Sequence, residues 1–152
     1  MTRTTAPAPA RWIPLTGTVL SLAGLAISVY LTVSHYTDPR TLACPDTGAI
    51  NCVKVTTSPE SVILGIPVAA YGLIFFAAMI LANLPAVWRR QETWVTAARL
   101  VATGIGVVTV LYLVYVELFQ VSAICLWCTG VHVIAFALFV IALIGSSRSL
   151  ID

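Results

Sequence analysis

Four stretches of the chain are apolar on every side: roughly Ile13 to Ser34, Ile66 to Leu84, Val95 to Leu118 and Ala123 to Ile144. A surface helix carries one apolar stripe; here the whole circumference is apolar. Each run is close to the ~20 residues an α-helix needs to cross about 30 Å of hydrocarbon. The pattern predicts an all-α integral membrane protein, a bundle of four transmembrane helices filling residues 13–145. Residues 1–12, with the stretch TTAPAPA, read as a disordered tail, and 146–152 as a second tail. One long polar loop, residues 35–65, joins the first two spans. The first run follows Arg3 and Arg11, as the core of a signal peptide would. It exceeds the roughly 7–15 residues of such a core, and no Ala-x-Ala site closes it, so it reads as an uncleaved anchor.

Charge gives the bundle a direction. Of 152 residues only 9% are charged and 59% are hydrophobic, with a net charge of +2. Soluble domains carry about a quarter charged residues. Without a Lys/Arg-rich run, nucleic acid is excluded as a partner and the lipid bilayer is the expected one. Arg3 and Arg11 precede the first span; Arg89, Arg90 and Arg99 cluster between the second and third; Arg148 follows the fourth. The long loop holds Arg40 and Lys54 against Asp38, Asp46 and Glu60. Both termini are therefore expected in the cytoplasm, with loop 35–65 and the turn Gln120–Ser122 outside the inner (plasma) membrane. Trp12, Trp88 and Trp94 fall at the inner interface. Tyr30, Tyr36, Tyr71, Tyr112 and Tyr115 fall in the outer half, as a belt with packing or as the wall of an aromatic pocket.

This direction gathers all four cysteines on the oxidising side, where disulfides persist. Cys44 and Cys52 lie in the long loop, and Cys125 and Cys128 in the first turn of the fourth span, with Ser122 as its expected N-cap. A thiol at a helix N-terminus is favoured as thiolate by unpaired N–H groups and the helix dipole. Cysteines three apart share one helix face at roughly 5–6 Å between Cβ atoms. A bridge that short constrains almost no chain, so its value is redox chemistry rather than stability. A four-thiolate zinc site competes, but Cys-x7-Cys is not its usual spacing; His35 and His132 are the other possible ligands, or else packing residues. Pro45, Asp46, Gly48 and Asn51 are turn formers, which predicts either a mobile shuttle loop or a static staple.

The order Cys-x7-Cys, then CVKVTTSPESVILGIPVAAYG, then CLWC opening the last span resembles the vitamin K epoxide reductase family in its stand-alone bacterial form, over nearly the whole chain. The resemblance implies a four-helix bundle around a quinone, menaquinone or ubiquinone, with no metal. It implies a quinone-dependent thiol–disulfide oxidoreductase that supports disulfide formation outside the cytoplasm. Cys44 would exchange with the partner, Cys52 with Cys125, and Cys128 would face the quinone. Ser58 matches a family serine or threonine that hydrogen-bonds near the active cysteines; otherwise it caps a helix. Many bacterial members carry a fused thioredoxin-like domain. This chain ends at Asp152, so a separate thioredoxin-like (DsbA-like) partner is expected. Animal members have tyrosine four residues after the second CxxC cysteine, where this chain has His132; that favours a plain quinone over an epoxide. The DsbB-like family also pairs four spans with four cysteines, but places its CxxC in the first outer loop.

His132 lies one turn beyond Cys128 and is a candidate hydrogen-bond donor to the quinone. Glu117, near the outer end of the third span, is either a proton carrier for quinone reduction or a side chain reaching the interface. Asn83 receives no role, and Gly24, Gly104 and Gly106 read as close helix contacts. Two other classes stay open: a structural membrane protein with static disulfides, and a metal-binding membrane protein.

Overall fold

The computed structural model describes residues 10–90 and 92–150. Six helices follow in order: α1 (Trp12–Tyr36), α2 (Cys52–Thr56), α3 (Val68–Asn83), α4 (Pro85–Arg90), α5 (Thr93–Tyr115) and α6 (Leu126–Leu150). A hairpin of β1 (Val62–Ile63) and β2 (Ile66–Pro67) precedes α3, and α5 runs on into a π-helical segment, Val116–Val121. Three helical stretches are long and apolar enough to cross a membrane: Trp12–Tyr36, Thr93–Val121 and Leu126–Ser147. The second expected span is shorter than its apolar run. Ile66 and Pro67 pair with Ile63 and Val62 in the hairpin, and Pro85 ends the helix beyond Asn83. Proline lacks the N–H for the ladder and disfavours helical backbone before it. The 16 residues that remain rise about 24 Å.

Close packing starts from α1. Its buried positions, Ile13, Pro14, Gly17, Ser21, Gly24, Ser28, Leu31 and Ser34, recur every three or four residues. Most are small, so a neighbouring backbone approaches closely, which is what holds helices together in lipid. The Phe76 ring of α3 lies over Gly24, Gly72 faces Ser28, and Asn83 sits against Gly17. On its other side α1 meets α6, which also packs on α5, whereas α3 and α5 touch sparsely. They meet where the Phe75 ring sits over Gly106. Gly24 and Gly106 are thus the close contacts expected; at Gly104 the nearest neighbour, Phe139, is at ordinary distance.

The end of the bundle remote from the cysteines departs from expectation. Trp12 and Trp94 are exposed, but Trp88 is buried and is no belt residue. Its ring packs on Gly145, its indole N–H donates to Asn83 Oδ1 at 3.3 Å, and the Arg99 guanidinium stacks 3.6 Å from the ring centroid. Asn83, given no role from sequence, is the hub of this plug. Its amide donates to Met79 O at 2.9 Å and its carbonyl accepts Thr18 Oγ1 at 3.0 Å. Arg99 Nη2 donates to Ala82 O at 2.6 Å, placing a cation at the C-terminal end of α3, where the dipole favours it. Arg99 is therefore a structural residue of the core rather than a loop charge. At this same end of the bundle, α6 continues through 146–150, the stretch read as a tail. Ser146 and Ser147 bond back to Ala142 O and Ile144 O within the helix. The expected tail at 1–9 lies outside the described residues.

Replacing Gly24 tests the α1–α3 seam. Gly24→Val drives a branched side chain into the Phe76 ring and should cost about 1–3 kcal/mol. A lowered thermal midpoint of the purified protein in detergent, beside an unchanged Gly104→Ala control, is the expected result.

Candidate redox site

The site forms where loop 37–67 folds onto the mouth of the bundle. Ile50 and Ile124 make an isolated parallel bridge. Ile124 N–H donates to Ala49 O at 2.9 Å, and Asn51 N–H donates to Ile124 O at 3.1 Å. The side chain of Asn51 then caps α2, accepting Lys54 N–H at 2.8 Å, and donates to Asp46 Oδ1 at 3.2 Å. Farther back, Trp127 Nε1–H donates to Ala43 O at 3.0 Å, and the Tyr30 hydroxyl accepts Ala43 N–H at 2.9 Å. The turn formers do make turns, with Gly48 at φ 79°. The loop, whether shuttle or staple, is docked on both sides in this structure, because its backbone finds partners on α1 and at the start of α6.

Docking brings the cysteines together. Cys44 and Cys52 form a disulfide. Cys52 and Cys125 are 1% and 0% exposed and share one buried cluster, with Cys44 and Cys128 packed against it. Cys44 is half-buried and lines an open groove of about 350 Å³ with Pro45, Asp46, Asn51, Cys52, Val53 and Lys54. The outer sulfur of the loop pair is thus reachable from solvent, while its mate is enclosed beside the CxxC.

The CxxC is set differently from the expected first turn. Ser122 is not its N-cap: it has left-handed backbone, φ 52°, and ends the π-helical segment. Ala123 to Cys125 is extended, and α6 begins at Leu126. Cys125 itself takes the capping position. Its carbonyl accepts Thr129 N–H at 2.9 Å, the first bond of the helix, and its sulfur accepts Cys128 N–H at 3.2 Å. That is the bond a Ser or Asp N-cap makes to the third helical residue. The two sulfurs stand 2.6 Å apart, closer than separate thiols pack and placed to bond to each other. The Cys128 thiol, helped by the N–H groups of Cys128 and Trp127, holds the Cys125 thiol below its ordinary range; burial and the nearby Glu117 charge oppose it.

Glu117 does not reach the interface. It is 6% exposed, and its Oε2 accepts Cys125 N–H at 3.3 Å. Its position in sequence alone left it eight residues from Cys125; the π turns and Ser122 bring it back. His132 is buried, on the helix face of Cys128, and makes no hydrogen bond to a described residue. Ser58 is half-buried just beyond α2 and its side chain makes no cap bond at the turn Pro59–Ser61; among the described residues no hydrogen bond joins it to the cysteines. His35 Nδ1 pairs with Thr56 O at 3.3 Å. Among the described residues no cluster of three His, Cys, Asp or Glu could hold a metal ion.

Comparison with known proteins gives one family: the model described as Vitamin K epoxide reductase family matches residues 15–143. No curated protein matches the chain.

The cap geometry makes a pH prediction. A thiol held below its ordinary range becomes thiolate at lower pH, and removing the donor must move the transition upward. In a Cys44→Ser/Cys52→Ser background, Cys128→Ala should shift the rise of thiolate ultraviolet absorbance to higher pH. An unmoved transition would show that the Cys128 thiol does not stabilise Cys125.

Proposed function

This chain belongs to the vitamin K epoxide reductase family, and from that premise we propose that it is a membrane thiol oxidase. It passes electrons from a reduced thioredoxin-like (DsbA-like) protein through Cys44–Cys52 and Cys125–Cys128 to a membrane quinone, menaquinone or ubiquinone. In this reading α3 completes a four-span bundle, both termini are cytoplasmic, and the cysteines face the outside. The observation that carries it is the seating of a half-buried Cys44 above a buried Cys52 and Cys125.

The burial order supports one order of attack. A partner thiolate meets Cys44 in the open groove; the new bond forms at Cys44 Sγ and Cys52 leaves as thiolate. The partner's second thiol displaces Cys44 and the partner departs oxidised. Cys52 then attacks Cys125 of the Cys125–Cys128 bridge and Cys128 leaves. Cys44 attacks Cys52, the loop disulfide returns, and Cys125 is released. Each step exchanges one S–S bond for another, and the leaving thiol with the lower pKa departs faster, which suits Cys125.

A quinone supplies the two-electron, two-proton acceptor when bound. The residues fit one: Cys128 is only half-buried, unlike Cys125. His132, one turn along the same face, can donate to a carbonyl oxygen. A static disulfide pair is the rival, and it gives no reason for a CxxC to pack against the loop pair.

The purified chain in lipid with a quinone should oxidise a reduced thioredoxin-like protein, forming one quinol per disulfide. Replacing any of the four cysteines with alanine should abolish it. A chain that oxidises nothing at saturating quinone is instead a structural protein. The relay order has its own check. In Cys128→Ala the Cys125 thiolate should attack Cys52, expel Cys44 and accumulate a Cys52–Cys125 bridge. Mass mapping that finds Cys44 joined to Cys125 reverses the two roles.

A further inference from the structure

Glu117 is an expensive way to satisfy one amide. A carboxyl 6% exposed accepts a single N–H, that of Cys125, and makes no ion pair among the described residues. A glutamine would accept the same bond without bringing an ionisable group into the bundle, where such groups cost several kcal/mol. The local backbone is also spent on this meeting. The π-helical segment Val116–Val121 and left-handed Ser122 turn the chain back, so that Glu117 O accepts both Ser122 N–H and Ala123 N–H. Glu117 thus holds the return strand by its backbone and the CxxC by its side chain.

The other titratable groups on the neighbouring elements are differently placed. On α2 they are Lys54, which is exposed, and Cys52, which is bonded to Cys44. On α5 they are Tyr112 and Tyr115, both half-exposed. On α6 they are Cys128, whose S–H points to Cys125, and His132, one turn farther along. Cys125 is the one whose backbone Glu117 holds.

We propose that Glu117 is the positioning residue of Cys125 and shares one proton with it, so that the carboxyl protonates the sulfur when exchange releases Cys125. The step rests on the relay proposed above and moves no electrons. As Cys44 attacks Cys52, the Cys52–Cys125 bond breaks and its electron pair stays on Cys125. The Glu117 proton passes to that thiolate, leaving carboxylate and thiol. When Cys125 and Cys128 close again, their two electrons and two protons go to the quinone acceptor, and Glu117 regains its proton from water. A charge on Glu117 beside a thiol keeps the dithiol protonated and makes it the better electron donor.

The test needs neither quinone nor partner, so it can fail while the oxidase activity stands, or succeed where that activity is missing. Glu117→Gln keeps an oxygen for the Cys125 N–H and removes the shared proton; Glu117→Ala removes both. In the reduced Cys44→Ser/Cys52→Ser chain, Glu117→Gln should move the thiolate absorbance transition to lower pH. It should also shift the Cys125–Cys128 couple several-fold toward the dithiol in a redox buffer. If Glu117→Gln titrates and equilibrates like its parent, the carboxyl is only a hydrogen-bond acceptor and the proposal is wrong. A second measurement covers a variant that does not fold. The reduced-minus-oxidised infrared spectrum of the parent should contain a carboxyl C=O band, and its absence overturns the shared proton.

Discussion

Two backbone hydrogen bonds at Ile124 govern this molecule. They tie the end of the cysteine loop to the strand that leads into α6, and every redox residue depends on that tie. Because the bridge is parallel, Cys52 and Cys125 leave it in the same direction and enter one buried cluster. Side-chain packing alone could not set this register, since apolar contacts are non-directional. The backbone groups at the bundle mouth need partners in any case. Asn51 makes the tie serve two ends, donating its N–H to Ile124 while its side chain caps α2 at Cys52.

The membrane-spanning part meets the opposite problem, with abundant apolar surface and little to make it specific. Small residues along α1 solve half of it by admitting Phe76 and Asn83 to the backbone. The polar plug at the remote end solves the other half. Asn83 joins Thr18 of α1 to Trp88, and Arg99 stacks on the same indole. Hydrogen bonds between helices are worth only ~0.6–2 kcal/mol each in lipid, but they are directional, and they fix which faces meet. The bundle is thus pinned at one end by polar side chains and at the other by the backbone of a loop.

The elements legible in the sequence are those set by composition over many residues. The long apolar helices and the four cysteines are visible because each signal is local. Where the reading slipped, the deciding partner was distant in sequence. Trp88 looks like a belt residue until Asn83 and Arg99 reach it. Ser122 looks like a helix cap because Ser usually is one, yet it ends the π-helical segment in left-handed backbone and the cap falls to Cys125. Glu117 could have been suspected from its charge in an apolar run, but nothing along the chain says that it turns toward Cys125 rather than toward water. The turn residues of the loop fix local bends and say nothing of what the loop leans on.

The capping position explains why a dithiol at a span edge is not two equivalent thiols. Cys125, before the helix, receives donors from the first turn, while Cys128, inside it, gives its N–H and S–H to Cys125. Negative charge is therefore stabilised at Cys125, the sulfur that shares a buried cluster with the loop pair. Exchanging the cap for a Ser would keep the helix start but erase this polarity, because a hydroxyl accepts the same N–H and takes no part in sulfur exchange. In the proposed relay the gradient acts at release, when Cys44 attacks Cys52 and Cys125 departs; which sulfur Cys52 meets first is set instead by the buried cluster that Cys52 shares with Cys125.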